Sequence, residues 1–160
     1  MVEVDLVLKG IETSKEGYLD MRDLYGLIKN FLDNIRYSII LEKEHFVSEN
    51  EIKIKIDAKK AINDYTKFVL KITITGSRLK KVKLKEKETY EGQFTVRLRA
   101  EIEKDYEDTY EEKPMLKFFR ELFDYLVKVS DFNRFNKMIK TDLFSLRDEI
   151  KAYFEIEKLD

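Results

Sequence analysis

His45 is the only histidine in the chain, so any imidazole chemistry must run through it. It shares the alternation of Tyr37, Ile39 and Leu41, which places it at the rim of the apolar face those residues define. An acid/base or ligand-binding role is open to it there, and a rim histidine without catalytic duty is the plainer reading. The chain has no cysteine, which removes thiol nucleophiles, thiolate metal sites and a disulfide scaffold. It also has no glycine-rich phosphate loop, nucleophile elbow, HExxH pair or Glu-x-x-His pair. These absences assign no catalytic residue, no metal ligand and no cofactor. The acidic run of Asp105, Glu107, Asp108, Glu111 and Glu112 has enough oxygens for a hard cation such as calcium. It lacks the spacing and central glycine of an EF-hand loop, so a solvated charge run is the simpler account. Tyr106 and Tyr110 also suit that run to contact with a basic partner.

The basic residues form the most specific pattern. The net charge of −1 hides a segregation along the chain. Residues 1–50 carry 6 basic and 10 acidic side chains, residues 51–99 carry 14 and 6, and residues 100–160 carry 11 and 16. Within the basic middle, Lys53, Lys55, Lys67, Lys71, Lys81, Lys83, Lys85, Arg97 and Arg99 take the outward position on neighbouring strands. They are expected to converge on one sheet face and attract a polyanion, RNA or DNA being the obvious class. The outward positions between them hold Thr, Val and Lys, whereas sheet surfaces that read single strands interleave aromatics for stacking. A charged solvent face that guards sheet edges gives the same pattern.

The elements that position these groups follow from periodicity. Val2, Val4, Leu6 and Leu8 alternate with polar residues as a half-buried strand that Gly10 ends. Asp20 is a helix N-cap, Asp23 suits the helix dipole, and Leu19 can staple against Leu24. Met21, Leu24, Tyr25, Ile28, Leu32 and Ile35 then form one apolar stripe, with Gly26 on the polar side at a cost of about 1 kcal/mol relative to alanine. From residue 36 the period becomes two. Strands are expected around Tyr37–Leu41, Ile52–Ile56, Phe68–Ile74, Val82–Leu84 and Phe94–Ile102, with turns at Ser48–Asn50 and at Gly76–Ser77. Pro114 opens a helix whose apolar residues, from Met115 to Val129, cover about 200° of its circumference. Ser130 or Asp131 then caps a second helix with a narrow stripe of Phe132, Phe135, Ile139, Leu143, Leu146, Ile150, Tyr153 and Phe154; Thr141 and Asp142 are its weak point. The expected fold class is α+β: an antiparallel sheet of about six strands, one helix after the first strand, and two C-terminal helices on the apolar face.

That element order, carried by the strand pattern from Tyr37 to Ile102 and the helix stripe from Phe132 to Phe154, resembles the helix-grip or START-like superfamily. The resemblance implies a curved antiparallel sheet around a long C-terminal helix, often with a cavity for a lipid, hormone or other apolar ligand, and some members are catalytic. The family pattern has two short helices after the first strand and one terminal helix, where this sequence reads as one and two.

At 160 residues and 43% apolar composition, one domain spanning 1–160 can bury its own core. Charged residues at 39% and scarce amides match the composition of thermophile proteins. No stretch is long and apolar enough for a membrane span, and Met1–Lys9 lacks the basic start and apolar run of a signal peptide; the expected location is cytoplasmic. Eleven phenylalanines, the wide stripe from Met115 and Phe144 exceed what one sheet-plus-helix layer needs. Core packing, a ligand cavity or a second subunit in a homodimer can each absorb the surplus. The leading reading is a non-enzymatic binding domain for an apolar small molecule, a lipid or a protein partner. Its expected pocket is Tyr37, Ile39, Leu41, His45, Phe68, Leu70, Phe94, Phe132 and Phe135. Nucleic-acid binding through the lysine face is the alternative, and an enzyme using pocket carboxylates and tyrosines ranks third.

Overall fold

The computed structural model describes residues 2–63, 65–84, 87–105 and 114–159; the side chains at 2–3, 84, 87–88, 105, 114–132 and 157–159 lie outside that description. In chain order the elements are β1 (Val2–Leu19), α1 (Met21–Asn34), β2 (Ile39–Val47), β3 (Ile52–Ala61), β4 (Thr66–Leu84), β5 (Lys87–Asp105) and α2 (Pro114–Leu159). The strands make one antiparallel sheet in the order β1-β5-β4-β3-β2. β1 and β2 are therefore opposite edges, and α1 carries the chain between them.

Local chemistry starts α1 where the sequence indicates. Asp20 accepts a hydrogen bond from the Arg22 backbone N–H at 2.9 Å, and Met21, Leu24, Ile28 and Leu32 at three- and four-residue spacing are buried. On the sheet, Ile52, Ile54, Ile56 and Ala58 of β3, Phe68 to Ile74 of β4 and Phe94 to Ile102 of β5 supply alternate buried side chains. Ile139, Leu143, Leu146, Ile150 and Phe154 of α2 close on the same core. Each fully buried side chain of this size contributes about 1.5–3 kcal/mol relative to exposure. α2 lies over β1 and β5 and touches α1. The result is a helix-plus-antiparallel-sheet fold compatible with a helix-grip arrangement. Among the described residues no helix is long and apolar enough to cross a membrane.

Two expectations about the architecture are corrected. The sheet has five strands, not six, because Gly76 and Ser77 do not turn the chain. β4 runs through them and bulges between Ser77 and Lys80, with Arg78 at φ 53°. Leu79 folds back into the core there, and its N–H donates to the Asn50 carbonyl at 3.0 Å. Gly92 on β5 makes room for it: a Cβ at that position would sit 2.8 Å from both Leu79 Cδ2 and the Ser77 carbonyl oxygen. Glycine and serine serve a bulge as well as a turn, and only cross-strand pairing distinguishes them. The same holds in β1, which continues through Gly10 to Leu19 with irregularities between Leu6 and Leu8 and between Leu8 and Ile11.

The second correction concerns the C-terminus, where one helix of 46 residues replaces the expected two. Ser130 and Asp131 resemble a cap in sequence, but no glycine or proline lies between residues 115 and 159, so nothing forces a break. Thr141 is absorbed by donating its hydroxyl to the Lys137 carbonyl one turn back, at 2.9 Å.

Candidate functional site

Directly opposed residues in an antiparallel pair point to the same side of the sheet, so the buried positions of β3 assign the faces of β2. Ile39 and Leu41 oppose Lys59 and Asp57 and therefore lie on the outer, lysine-bearing face. β2 then bulges between Glu42 and Glu44, with Lys43 as the extra residue, and beyond it His45 and Val47 oppose Ile54 and Ile52. His45 reaches the apolar side through that bulge, not through the alternation that begins at Tyr37. The bulge also turns Phe46 outward, opposite Lys53, where it is 50% exposed.

The nine expected pocket residues do not gather at one place. Phe68, Leu70 and Phe94 are closed core. Phe135 packs edge-on against Phe68, with ring centroids 5.8 Å apart and planes at 75°. Ile39 and Leu41 are on the outer face, and the side chain of Phe132 lies outside the described residues, as do the wide stripe from Met115 to Val129 and the acidic run Tyr106–Glu112. Of the nine, His45 lines an open cavity on the apolar side.

That cavity is a cleft of about 520 Å³ between α1 and the β2 edge. Met21, Arg22, Tyr25 and Gly26 contribute from α1, Glu42, His45 and Val47 from β2, Ile52 and Ile54 from β3, and Tyr90 from β5. Most of the lining is aliphatic or aromatic, and the polar groups are few. Glu42 accepts a hydrogen bond from His45 Nδ1 at 2.6 Å, which fixes the imidazole at the rim. A side chain at Gly26 would meet nothing within 4 Å of its Cβ, so the glycine on the polar side of α1 faces open space. Sequence pattern alone does not single out Val47 or Tyr90. Val47 is 54% exposed and its side is set by the bulge; Tyr90 joins only through strand pairing.

A second cluster, not visible in the sequence, fastens the helices to the sheet. Asp142 Oδ2 on α2 accepts from the Tyr37 hydroxyl at 2.8 Å and from Lys60 Nζ at 3.0 Å. The ammonium also donates to the Ile35 carbonyl at the end of α1, at 3.2 Å, and lies 4.7 Å from the Tyr37 ring centroid. Burial first, and then the adjacent Asp142 carboxylate with its hydrogen bond, hold the Tyr37 phenol well above its ordinary range. Tyr37, expected in a ligand pocket, is wholly buried in a structural clamp.

Of the expected polyanion site, Lys53, Lys55, Lys67, Lys71, Arg97 and Arg99 share the outer face. Lys81 and Lys83 do not. The β4 bulge reverses the alternation, so Lys80 opposes Glu91 on the outer side and Lys81 opposes Tyr90 on the apolar side. Lys85 lies outside the described residues. Among the described residues no group of three or more His, Asp and Glu side chains is placed to hold a metal ion. No protein-family model matches the chain, and no curated protein matches it.

Proposed function

We propose that the protein is a non-enzymatic binding domain of helix-grip type that takes a small, predominantly apolar molecule into the cleft between α1 and β2. The observation that supports this reading is an open, mostly apolar cavity of about 520 Å³ beside the buried core. That volume lies within the range of small-molecule sites, which are largely apolar with a few placed polar groups. Met21, Ile52 and Ile54 would hold the apolar body of the ligand, Tyr25 and Tyr90 its flanks. Arg22 and the Glu42–His45 pair would receive a polar end.

Binding is preferred over catalysis because the one imidazole is already held by Glu42 at the rim and faces a mostly apolar lining, which among the described residues holds no serine, threonine or lysine. Native mass spectrometry of the protein purified from cells, followed by titration with the neutral dye Nile red, tests the reading. A retained small molecule and saturable 1:1 dye fluorescence are expected. Val47→Glu and Gly26→Phe, at exposed or open positions, should each weaken dye binding at least tenfold while thermal unfolding stays cooperative. Absence of saturable binding, or binding indifferent to both variants, defeats the proposal; a retained protein chain would instead favour a partner interface.

A further inference from the structure

On the face opposite that cleft, the geometry points to a second binding site, for a compact anion carrying two or more phosphate groups. The outer side of the sheet contains a groove of about 620 Å³ whose lining includes Lys9, Lys43, Lys55, Lys71, Arg97 and Arg99 against a single carboxylate, Asp57. The inference is independent of the apolar cleft.

The groove is built by irregularities on both edges of the sheet. In β1, Leu8 pairs with Ala100 and Ile11 with Leu98, so Lys9 and Gly10 fall in the extra length opposite Arg99. In β2, Lys43 is the extra residue between Glu42 and Glu44. Bulges re-aim side chains and recur beside binding sites; here two of them, on strands separated by three others, each supply a lysine to one concavity. Gly10, at φ 147°, allows the Arg97 side chain to lie against the β1 backbone, where a Cβ would sit 2.8 Å from Arg97 Nε.

Charge pairing within the groove is uneven. Arg99 Nε lies 2.9 Å from Glu101 Oε1, Lys71 3.6 Å from Glu101 Oε2, and Lys55 3.5 Å from Glu44. Among the described residues no carboxylate forms an ion pair with Lys9, Lys43 or Arg97. Three cations held around one cavity outside any ion pair form a positive field that polyvalent anions relieve, and the Arg97 guanidinium adds forked donors suited to phosphate.

The extent of the patch favours a compact ligand over a polymer. The rows that carry the groove's cations are Glu44–Lys55–Thr73–Arg97–Glu12 and Leu41–Asp57–Lys71–Arg99, the second extended by Lys9 on β1. The next row on one side, Lys53–Thr75–Thr95–Ser14, has one cation. On the other side, Lys59–Val69–Glu101–Leu6 has a lysine already bonded to Glu103 at 3.0 Å. A nucleic-acid backbone needs positive charge that continues along its path, and this patch ends after two rows.

Isothermal titration with inorganic tripolyphosphate at 0.15 M salt tests the site, with 3- and 12-nucleotide single-stranded oligonucleotides as a second arm. The expected result is saturable 1:1 binding of tripolyphosphate. Arg97→Gln should weaken it at least tenfold and the pair Lys9→Gln with Lys43→Gln by a similar factor. Lys81→Gln with Lys83→Gln, on the opposite face, should change it less than twofold. Circular dichroism melts verify that each variant folds. No saturable binding, or equal losses in the groove and Lys81/Lys83 variants, overturns the site and leaves a solvated charged face. A 12-nucleotide strand binding at least tenfold more tightly than tripolyphosphate also overturns it, in favour of a nucleic-acid track.

Discussion

Asp142→Ala perturbs the clamp between α2, β3 and the end of α1, and its cost can be worked from the contacts. The carboxylate accepts two hydrogen bonds, from Tyr37 at 2.8 Å and Lys60 at 3.0 Å, and each hydrogen bond to a charged group contributes about 1.5–3 kcal/mol. Breaking a fully buried ion pair costs about 3–5 kcal/mol because a charge is left unpaired. The Lys60 and Asp142 side chains retain 19% and 18% exposure. Lys60 also keeps the Ile35 carbonyl and the Tyr37 ring, so the lower end, about 3 kcal/mol, applies. Alanine in mid-helix regains about 0.6 kcal/mol of propensity over aspartate. The net loss is about 2 kcal/mol, a fall of about 1 M in the urea midpoint for a domain of this size. Urea titration followed by circular dichroism at neutral pH measures it. Lys60→Met in the Asp142→Ala background should recover at least about 1 kcal/mol, since the stranded ammonium is then gone. A midpoint within about 0.2 M of wild type, or strictly additive single and double variants, refutes the reasoning.

The Tyr37 phenol gives a pH dependence of definite sign. Its proton is held far above the ordinary value of 10.0 when folded, whereas the unfolded chain releases it near pH 10, so its contribution is complete below pH 10 and declines as pH rises further. The slope from this residue is at most about 1.4 kcal/mol per pH unit; Tyr37→Phe should flatten the alkaline limb of the stability curve, and superimposable limbs would disprove the assignment. Gly26→Ala, in a helix with open space at the new methyl, should stabilise by about 0.5–1 kcal/mol in thermal melts; a loss would show that the glycine makes a close contact. Gly10→Ala should cost about 1–2 kcal/mol for its positive φ and displace Arg97, so tripolyphosphate affinity should fall together with stability; unchanged affinity would detach Gly10 from the groove. Gly92→Ala should cost more than 1 kcal/mol in urea titration, because its methyl meets a backbone carbonyl that cannot move freely; a neutral result would show that the β4 bulge is soft.

How far the sequence was legible depended on the range of the interaction responsible. α1 was legible because its cap and its stripe at Met21, Leu24, Ile28 and Leu32 are local. The buried alternation of β3, β4 and β5 was legible because each strand keeps its own period. Strand count was not, since Gly76–Ser77 satisfies a turn and a bulge equally. The helix does not break after Val129, because Ser130 and Asp131 suit a helix interior as well as a cap when no glycine or proline intervenes. The candidate sites suffered most. His45 sits on the apolar side as read, but Ile39 and Leu41 do not, and Lys81 and Lys83 leave the lysine face, because one extra residue in a strand reverses every position beyond it.

The sequence by itself determined that imidazole chemistry has one place to occur, that thiol chemistry has none, and that basic residues concentrate in the middle of the chain. It also determined α1 and the two-faced character of the central strands, since composition and period need no partner to be expressed. Tertiary structure alone decided which side chains meet. Bulges in both edge strands carry Lys9 and Lys43 to one groove, another in β4 takes Lys81 and Lys83 away, and Asp142 reaches Tyr37 and Lys60 across more than eighty residues of chain. Those juxtapositions depend on register between distant strands, and register is set by the packed core as a whole.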